Sequence, residues 1–190
     1  CVNLKSLKMT DNLSGLTAKN VKFDKIEFSE KTSLSSLILV NNSLGSNVIE
    51  SISKLENLTY LELSYNQIGP LNVSTFAKLK KLQTLKLKAT NISNISFGTF
   101  SHQGNMKDLD ISDNNLGVFD MHMIYTMNGL TSLDVSGNGL SELANLDTAH
   151  LTFSILERID LSNNKWSCMY LMRLIKIMKT YRVVLVQSTI

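Results

Sequence analysis

The sequence predicts an α/β solenoid, a curved horseshoe with a parallel sheet on its concave face and a helical cap at its C-terminal end. Two observations carry this prediction. A leucine pattern recurs every 24 residues from Leu34 to Leu130, and a second set of apolar residues recurs later in each unit. Equal units of this length are typical of repeat proteins, in which each unit buries its apolar face against its neighbours.

The stretch LTYLELSYNQI, residues 58–68, defines the repeat through Leu58, Leu61, Leu63, Asn66 and Ile68. Side chains two apart on a strand point to the same side, so Leu61 and Leu63 both face the core. The same frame fits six other places, which begin at Leu4, Leu34, Leu82, Met106, Leu130 and Leu156. The sequence therefore predicts about seven repeats over residues 1–164, with a first interval of 30 residues and a last of 26.

The later part of each unit is predicted to close the core from the convex side. Its apolar residues are Phe28, Ile52, Phe76, Phe100 and Ile124, with Leu55, Leu79 and Met127 three residues further on. Residues 13–33 contain an insertion, in which VKFDKIEF alternates like a short strand. Residues 144–153 depart from the convex pattern, and we expect a helical turn there.

The asparagine of each repeat, Asn66 in the template, is predicted to form a ladder along the solenoid. Its amide donates and accepts hydrogen bonds at once, as the backbone groups of a buried turn require. Thr90 occupies this position in the fourth repeat and supplies only a hydroxyl. We therefore expect an altered turn at Thr90, beside Asn91.

Residues 165–190 are predicted to form an incomplete C-terminal cap. Leu171, Leu174, Ile175 and Met178 recur at helical spacing, which indicates a helix with one apolar face laid over the last repeat. A basic amphipathic helix at a membrane surface is the alternative. VVLV at 183–186 reads as a strand. At the other end, Cys1 occupies the last core position of a preceding repeat, so we expect the chain to start within a solenoid.

Composition argues against several functional classes. The net charge is only +3 in 190 residues. The sequence lacks the basic stripe with interleaved aromatics that would favour nucleic-acid binding. No apolar run approaches the roughly 18–20 residues of a membrane span, so direct membrane insertion is not expected. The three histidines, His102, His122 and His150, do not converge with Cys or Asp at metal spacing. We therefore expect no enzymatic activity, no cofactor and no metal site.

The outward positions of the strands are the candidate binding residues for another protein. Two groups are predicted on this surface: a middle column of Lys8, Ile38, Glu62, Lys86 and then the aspartate row Asp110, Asp134 and Asp160, and an apolar-aromatic cluster of Ile38, Val40, Tyr60 and Tyr65. Tyrosine is favoured at protein interfaces because it joins a large apolar face to a polar tip. A Ca²⁺ ion that relieves the aspartate row is an alternative. The predicted contact residues are Ile38, Val40, Tyr60, Glu62, Tyr65, Lys86, Asp110, Asp134 and Asp160.

The 24-residue unit with its later Phe resembles extracellular animal leucine-rich repeat proteins, including Toll-like receptors. The tail Asn164, Trp166, Cys168, Leu171 and Leu174 looks like the start of their cysteine-rich cap. A single Cys followed by x-x-L resembles more closely the caps of mosquito leucine-rich immune proteins. Those proteins are secreted, often continue into coiled coils, form disulfide-linked complexes and engage complement-like proteins.

The resemblance implies a secreted recognition or scaffold module that binds another protein, with a role in innate immunity. A fragment of a membrane-anchored receptor ectodomain and a matrix or adhesion protein are the alternatives. Secretion is also favoured by six glycosylation sequons, although Asn12 is expected to be buried and unmodified. The remaining five are Asn41, Asn57, Asn72, Asn91 and Asn94, of which Asn72 and Asn94 are expected to be accessible.

Cys168 is the candidate for a disulfide. Six strand spacings of about 4.8 Å place Cys1 and Cys168 roughly 30 Å apart, and a disulfide needs Cα atoms within about 7 Å. Cys168 is therefore expected to pair beyond residue 190, to pair with another chain, or to stay free. The sequence leaves open a disulfide-linked oligomer, through pairing with another chain, and a non-covalent one.

Overall fold

The computed structural model describes residues 6–9, 13–22, 25–29 and 32–186. Its α-helices are α1 (Val48–Ile52), α2 (His150–Ile155) and α3 (Cys168–Tyr181), and 3-10 helices span Met121–Ile124 and Leu146–Thr148. Its strands, in chain order, are β1 (Ser6–Met9), β2 (Gly15–Thr17), β3 (Lys25–Phe28), β4 (Ser36–Ile38), β5 (Tyr60–Glu62), β6 (Thr84–Lys86), β7 (Asp108–Asp110), β8 (Phe119–Asp120), β9 (Ser132–Asp134), β10 (Leu143–Ala144), β11 (Arg158–Asp160) and β12 (Val184–Val186).

A parallel sheet runs the length of the solenoid, with eight strands in the order β12-β11-β9-β7-β6-β5-β4-β2. Strands one repeat apart pair in register, so that Leu37, Leu61 and Leu85 are direct neighbours. The 24-residue spacing thus returns the chain to the same place in each turn of the solenoid. The predicted α/β solenoid with its parallel sheet is confirmed.

The core lies behind the sheet and runs along the whole array. The template leucines Leu58, Leu61 and Leu63 are fully buried, and so are their equivalents in the neighbouring repeats. Convex residues close the core as predicted, and the Phe76 and Phe100 rings stack with centroids 6.1 Å apart. Each fully buried side chain of this size stabilises the fold by about 1.5–3 kcal/mol, so the repeats hold one another in place.

The first repeat is not where the leucine pattern predicted it. β1 pairs with β3, which lies in VKFDKIEF, in a separate two-stranded sheet. β2, inside the predicted insertion, pairs instead with β4 and aligns Leu16 with Leu37. The reason is that Leu13, Leu16 and Ala18 repeat the strand spacing 21 residues before Leu34, with Val21 in the asparagine position. Cys1, Leu4 and Asn12 lie outside the described residues.

The asparagine ladder forms as predicted. The Asn66 Nδ2 donates to the carbonyl of Leu39 in the preceding repeat at 2.7 Å and to Leu63 in its own repeat at 2.8 Å. Its Oδ1 accepts from the backbone N–H groups of Asn42 and Leu44, both at 3.2 Å. One buried amide thus satisfies backbone groups of two successive turns.

Thr90 interrupts this ladder. Its Oγ1 donates to the Leu87 carbonyl at 2.8 Å, and its backbone N–H donates to Asn114 Oδ1 at 3.0 Å, but it offers no amide to the repeat before it. Asn91 has φ +60°, and Lys22 and Gly139, which follow the ladder positions Val21 and Asn138, also have a positive φ, so this backbone conformation is not specific to Thr90. The residue before each ladder position has a left-handed backbone in every repeat: Asn20, Asn41, Tyr65, Ala89, Asp113, Gly137 and Asn163.

The cap covers the end of the core, but with a different helix face from the predicted one. Leu174 and Met178 of α3 are buried as expected, and Tyr170 and Ile177 pack beside them. Leu171 is 37% exposed, because the helix is rotated towards the side on which the Tyr170 hydroxyl accepts from the Leu143 N–H at 2.7 Å. The other cap predictions hold, since β12 follows α3 and helical turns occur within residues 144–153.

No helix in the described part of the chain is both long and apolar enough to cross a membrane.

Candidate functional site

The outward positions of the sheet form continuous columns because every strand pairs in register. In each three-residue strand from β4 to β9 the middle residue is buried and its two neighbours are partly exposed. The column that starts at Thr17 continues through Ile38, Glu62, Lys86, Asp110, Asp134, Asp160 and Val186. Lys8 is not part of it, contrary to prediction, because β1 pairs with β3 and places Lys8 beside Glu27.

In the N-terminal half of this face, Tyr60 and Ile38 supply the apolar surface and have Ser36, Glu62 and Thr84 beside them. The Tyr60 hydroxyl donates to Glu62 Oε2 at 3.2 Å, and Ile38 is the register neighbour of Glu62. Burial, followed by the charge of Glu62 and the hydrogen bond to it, raises the pKa of Tyr60 to about 12. The ring is therefore half-buried and fixed against the sheet before any partner arrives.

Tyr65 and Val40 lie further along, where the chain leaves the strands. Tyr65 is 49% exposed and has φ +62°, an unusual backbone conformation for a bulky residue. Its backbone N–H donates to the Lys88 carbonyl at 2.8 Å, and Lys88 forms an ion pair with Asp113 at 2.9 Å. The predicted Tyr60–Tyr65–Ile38 group is thus divided: Tyr60 and Ile38 share the strand surface, and Tyr65 marks its rim.

The C-terminal half carries the aspartate row. Serines two residues after the aspartates hold the row in place, and this was not predicted from the sequence. Asp110 and Asp134 are register neighbours, and each Oδ1 accepts from the backbone N–H and the hydroxyl of the serine two residues later. These distances lie between 2.7 and 3.0 Å. The signal was available as the triplets DIS, DVS and DLS, which contain Ser112, Ser136 and Ser162.

The carboxylates of the aspartate row lie close enough to affect the pKa of Asp134. Burial raises the pKa of Asp134 above its ordinary value, the bonds from Ser136 oppose that rise, and the carboxylates of Asp110 and Asp160 add to it. Lys86 is the register neighbour of Asp110 and separates the row from Glu62. A neutral carboxyl is thus favoured at Asp134 more than at an exposed aspartate.

Asp160 does not fit the prediction of an exposed contact. It is only 7% exposed, because β12 extends the sheet beyond β11 and places Val186 next to it. The short strand after the cap helix was predicted, but not its place at the edge of the sheet. The accessible part of the row is therefore Asp110 and Asp134, together with Asp108 on β7.

A hollow of about 230 Å³ lies over this region and is lined by Lys86, Asp108, Asp110, Ser132, Asp134, Arg158 and Asp160, among others. Arg158 Nε donates to Ser132 Oγ at 2.9 Å and so closes one side. No group of three or more His, Cys, Asp or Glu side chains within the described ranges is arranged to hold a metal ion.

The five described sequon asparagines, Asn41, Asn57, Asn72, Asn91 and Asn94, are exposed. Asn72 Oδ1 accepts from the N–H and hydroxyl of Ser74, which leaves its Nδ2 turned outward, whereas Asn57 Oδ1 accepts from Lys81 Nζ at 2.7 Å. The accessibility predicted for Asn72 and Asn94 is confirmed. Cys168 is exposed and carries a free thiol, and its predicted distance from Cys1 falls outside the described residues.

A leucine-rich repeat family profile matches residues 32–92 and 80–140, together more than half of the chain. This chain belongs to the leucine-rich repeat family. Domains of this family typically serve as protein-interaction scaffolds without enzymatic activity, which agrees with an open sheet surface as the candidate site. No curated protein matches the leucine-rich repeat chain.

Proposed function

We propose that this leucine-rich repeat chain is a recognition or scaffold module that binds another protein across its concave sheet. The observation that supports the proposal best is the division of that face into an aromatic end around Tyr60 and an acidic end around Asp134, with Lys86 between them. Burial, and after it the in-register carboxylates of Asp110 and Asp160, raise the pKa of Asp134, and a basic group of a partner would relieve this cost.

The two ends have different physical roles in this proposal. Tyr60 is pre-oriented by Glu62, so little side-chain entropy is lost when a partner covers it, and it acts as the anchor. Truncation of such an anchor typically costs about 2 kcal/mol, or roughly 30-fold in affinity. The carboxylates of Asp108, Asp110 and Asp134 attract a basic region of the partner and set its orientation, with an association rate that falls as salt rises.

We further propose that the protein works outside the cell, in innate immunity. Support for the extracellular setting comes from the exposed Asn72 and Asn94 sequons, and support for the immune role comes from the cap residues around Cys168. Expression in a secretory host followed by intact-mass analysis tests the setting. A chain without glycan at both positions would contradict it.

Binding is tested by capture from the native body fluid with three immobilised proteins: wild type, Tyr60→Ala and Asp134→Asn. Phe97→Ala is the matched control, because Phe97 is an exposed aromatic outside the sheet columns. A partner recovered by wild type and the control, reduced at least tenfold by Tyr60→Ala and weakened by Asp134→Asn, supports the concave site. Equal recovery of every protein by all four would show that the partner uses another surface.

A further inference from the structure

The cap helix α3 has a second apolar face that does not contact the solenoid. Its inner face packs through Leu174 and Met178. On the opposite side Met169 is 85% exposed and Met172 is 68% exposed, and the half-buried Ile175 lies one turn after Leu171. A surface helix usually exposes charged residues there, so two exposed methionines next to Ile175 mark an interaction surface.

This outer face is also basic. α3 contains three Lys or Arg residues, Arg173, Lys176 and Lys179, and no Asp or Glu. Arg173 forms an ion pair with Asp147, whereas within the described residues Lys176 and Lys179 have no carboxylate at ion-pair distance. Both lysines lie on the same side of α3 as Met172, at spacings of four and seven residues, which face one another on a helix.

These side chains form an open, nearly flat patch on α3, which consists of Met172, Arg173, Ile175, Lys176, Lys179 and Thr180. The patch extends over just more than two turns of helix, roughly 12 Å at 1.5 Å per residue. Methionine adapts its shape to different apolar partners, and lysine stems extend the apolar floor while their ammonium groups stay at the rim.

We propose that the outer face of α3 binds an acidic amphipathic helix of a partner protein. Such a helix packs against α3 face to face, with apolar residues on Met172 and Ile175 and carboxylates on Lys176 and Lys179. A second copy of this chain would bring lysines against lysines and is disfavoured by charge. An anionic membrane is the competing occupant, and it is disfavoured because the exposed carboxylate of Asp147 beside Arg173 would repel anionic headgroups.

The test uses the full chain and a fluorescent 18-residue peptide with one Leu stripe flanked by Glu, at concentrations where the peptide is monomeric. The same peptide with Lys in place of Glu is the charge control. We expect the acidic peptide to bind at least tenfold more tightly than the basic one by fluorescence anisotropy. Binding should weaken at least tenfold in Met172→Glu and in the Lys176→Glu/Lys179→Glu double variant, and it should weaken with added salt.

Lys78→Glu/Lys80→Glu is the matched control, since these lysines are exposed elsewhere on the solenoid, and it should bind within twofold of wild type. Circular dichroism melting of each variant separates lost binding from lost folding. Equal affinity for both peptides, or unchanged binding by the cap double variant, would overturn the proposal. So would binding to phosphatidylserine vesicles without binding to the peptide, or a wild-type dimer that Met172→Glu converts to monomer. Tyr60→Ala should leave peptide binding intact, which keeps this result independent of the concave site.

Discussion

Replacement of Thr90 by Asn should stabilise the protein, because it restores the missing rung of the asparagine ladder. Elsewhere the ladder Oδ1 accepts backbone N–H groups from the repeat before it, as Asn114 does for Thr90 at 3.0 Å and for Ile92 at 2.9 Å. The corresponding N–H groups opposite Thr90 belong to Asn66 and Ile68, both buried. Among the residues that the structure describes, neither N–H has an acceptor.

The magnitude follows from these two groups. A hydrogen bond to a buried backbone N–H contributes about 1 kcal/mol net, and an unsatisfied one costs about 1–3 kcal/mol. Two satisfied N–H groups, less the work of changing the turn at Asn91, should raise the free energy of unfolding by about 1–2 kcal/mol. For a chain of this size the melting temperature should rise by roughly 2–8 °C.

Calorimetry measures the melting temperature, and amide hydrogen exchange reports Asn66 and Ile68 individually. Thr90→Val is the control, because it keeps the shape of Thr90 but removes the hydroxyl that donates to Leu87; it should lower stability by about 1 kcal/mol. The reasoning is refuted if Thr90→Asn melts below wild type, or if it melts higher while the exchange of both amides is unchanged.

Three other predictions follow from the core and the concave face. Leu61→Ala removes a fully buried side chain and should lower the free energy of unfolding by about 2–5 kcal/mol, measured by denaturant unfolding. A loss below about 1 kcal/mol would show that the surrounding core relaxes to fill the cavity. The pKa of Asp134 is higher in the folded state than in the unfolded state. The free energy of unfolding of wild type should therefore fall as pH rises from the unfolded pKa to the folded pKa of this carboxyl. Asp134→Asn, which keeps an acceptor for Ser136, should therefore melt above wild type at pH 7, and the difference should vanish in acid; an equal difference at pH 3 would rule out the charge as its cause. Burial raises the pKa of Tyr60 to about 12 and also raises that of Tyr170, so absorbance at alkaline pH should show late-ionising tyrosine signal; the Tyr60 part should disappear in Tyr60→Phe and ionise earlier in Glu62→Gln.

The regular part of the fold could be predicted because each core position repeats in the same chemical form. Leu37, Leu61 and Leu85 differ in nothing but repeat number, so one template placed them all. The position of the first repeat was predicted wrongly because the sequence of residues 4–12 matched the template better than that of residues 13–21. It is the strand within residues 13–21 that pairs with β4. Local pattern could not decide between them, since strand pairing is settled by contacts with the rest of the sheet.

The candidate site was predicted in part for a similar reason. The equal repeat length predicted that Glu62, Lys86 and Asp110 would be neighbours in one column. The alternation of side chains along a strand predicted that they would point outward. The burial of Asp160 and the rotation of α3 depend on how the cap closes the array. Leu171 and Leu174 are alike in sequence, and only packing against the last repeat decides which of them is covered.

The interrupted ladder at Thr90 leaves one junction between repeats with fewer hydrogen bonds than its neighbours. In a linear array each repeat is held by its two neighbours, so cooperativity is lost first where neighbour coupling is smallest. That junction lies between β5, which carries Tyr60, and β6, which carries Lys86, under the middle of the concave face. A partner that touches both Tyr60 and Lys86 spans this junction and adds contacts between the two repeats where the ladder supplies fewer hydrogen bonds.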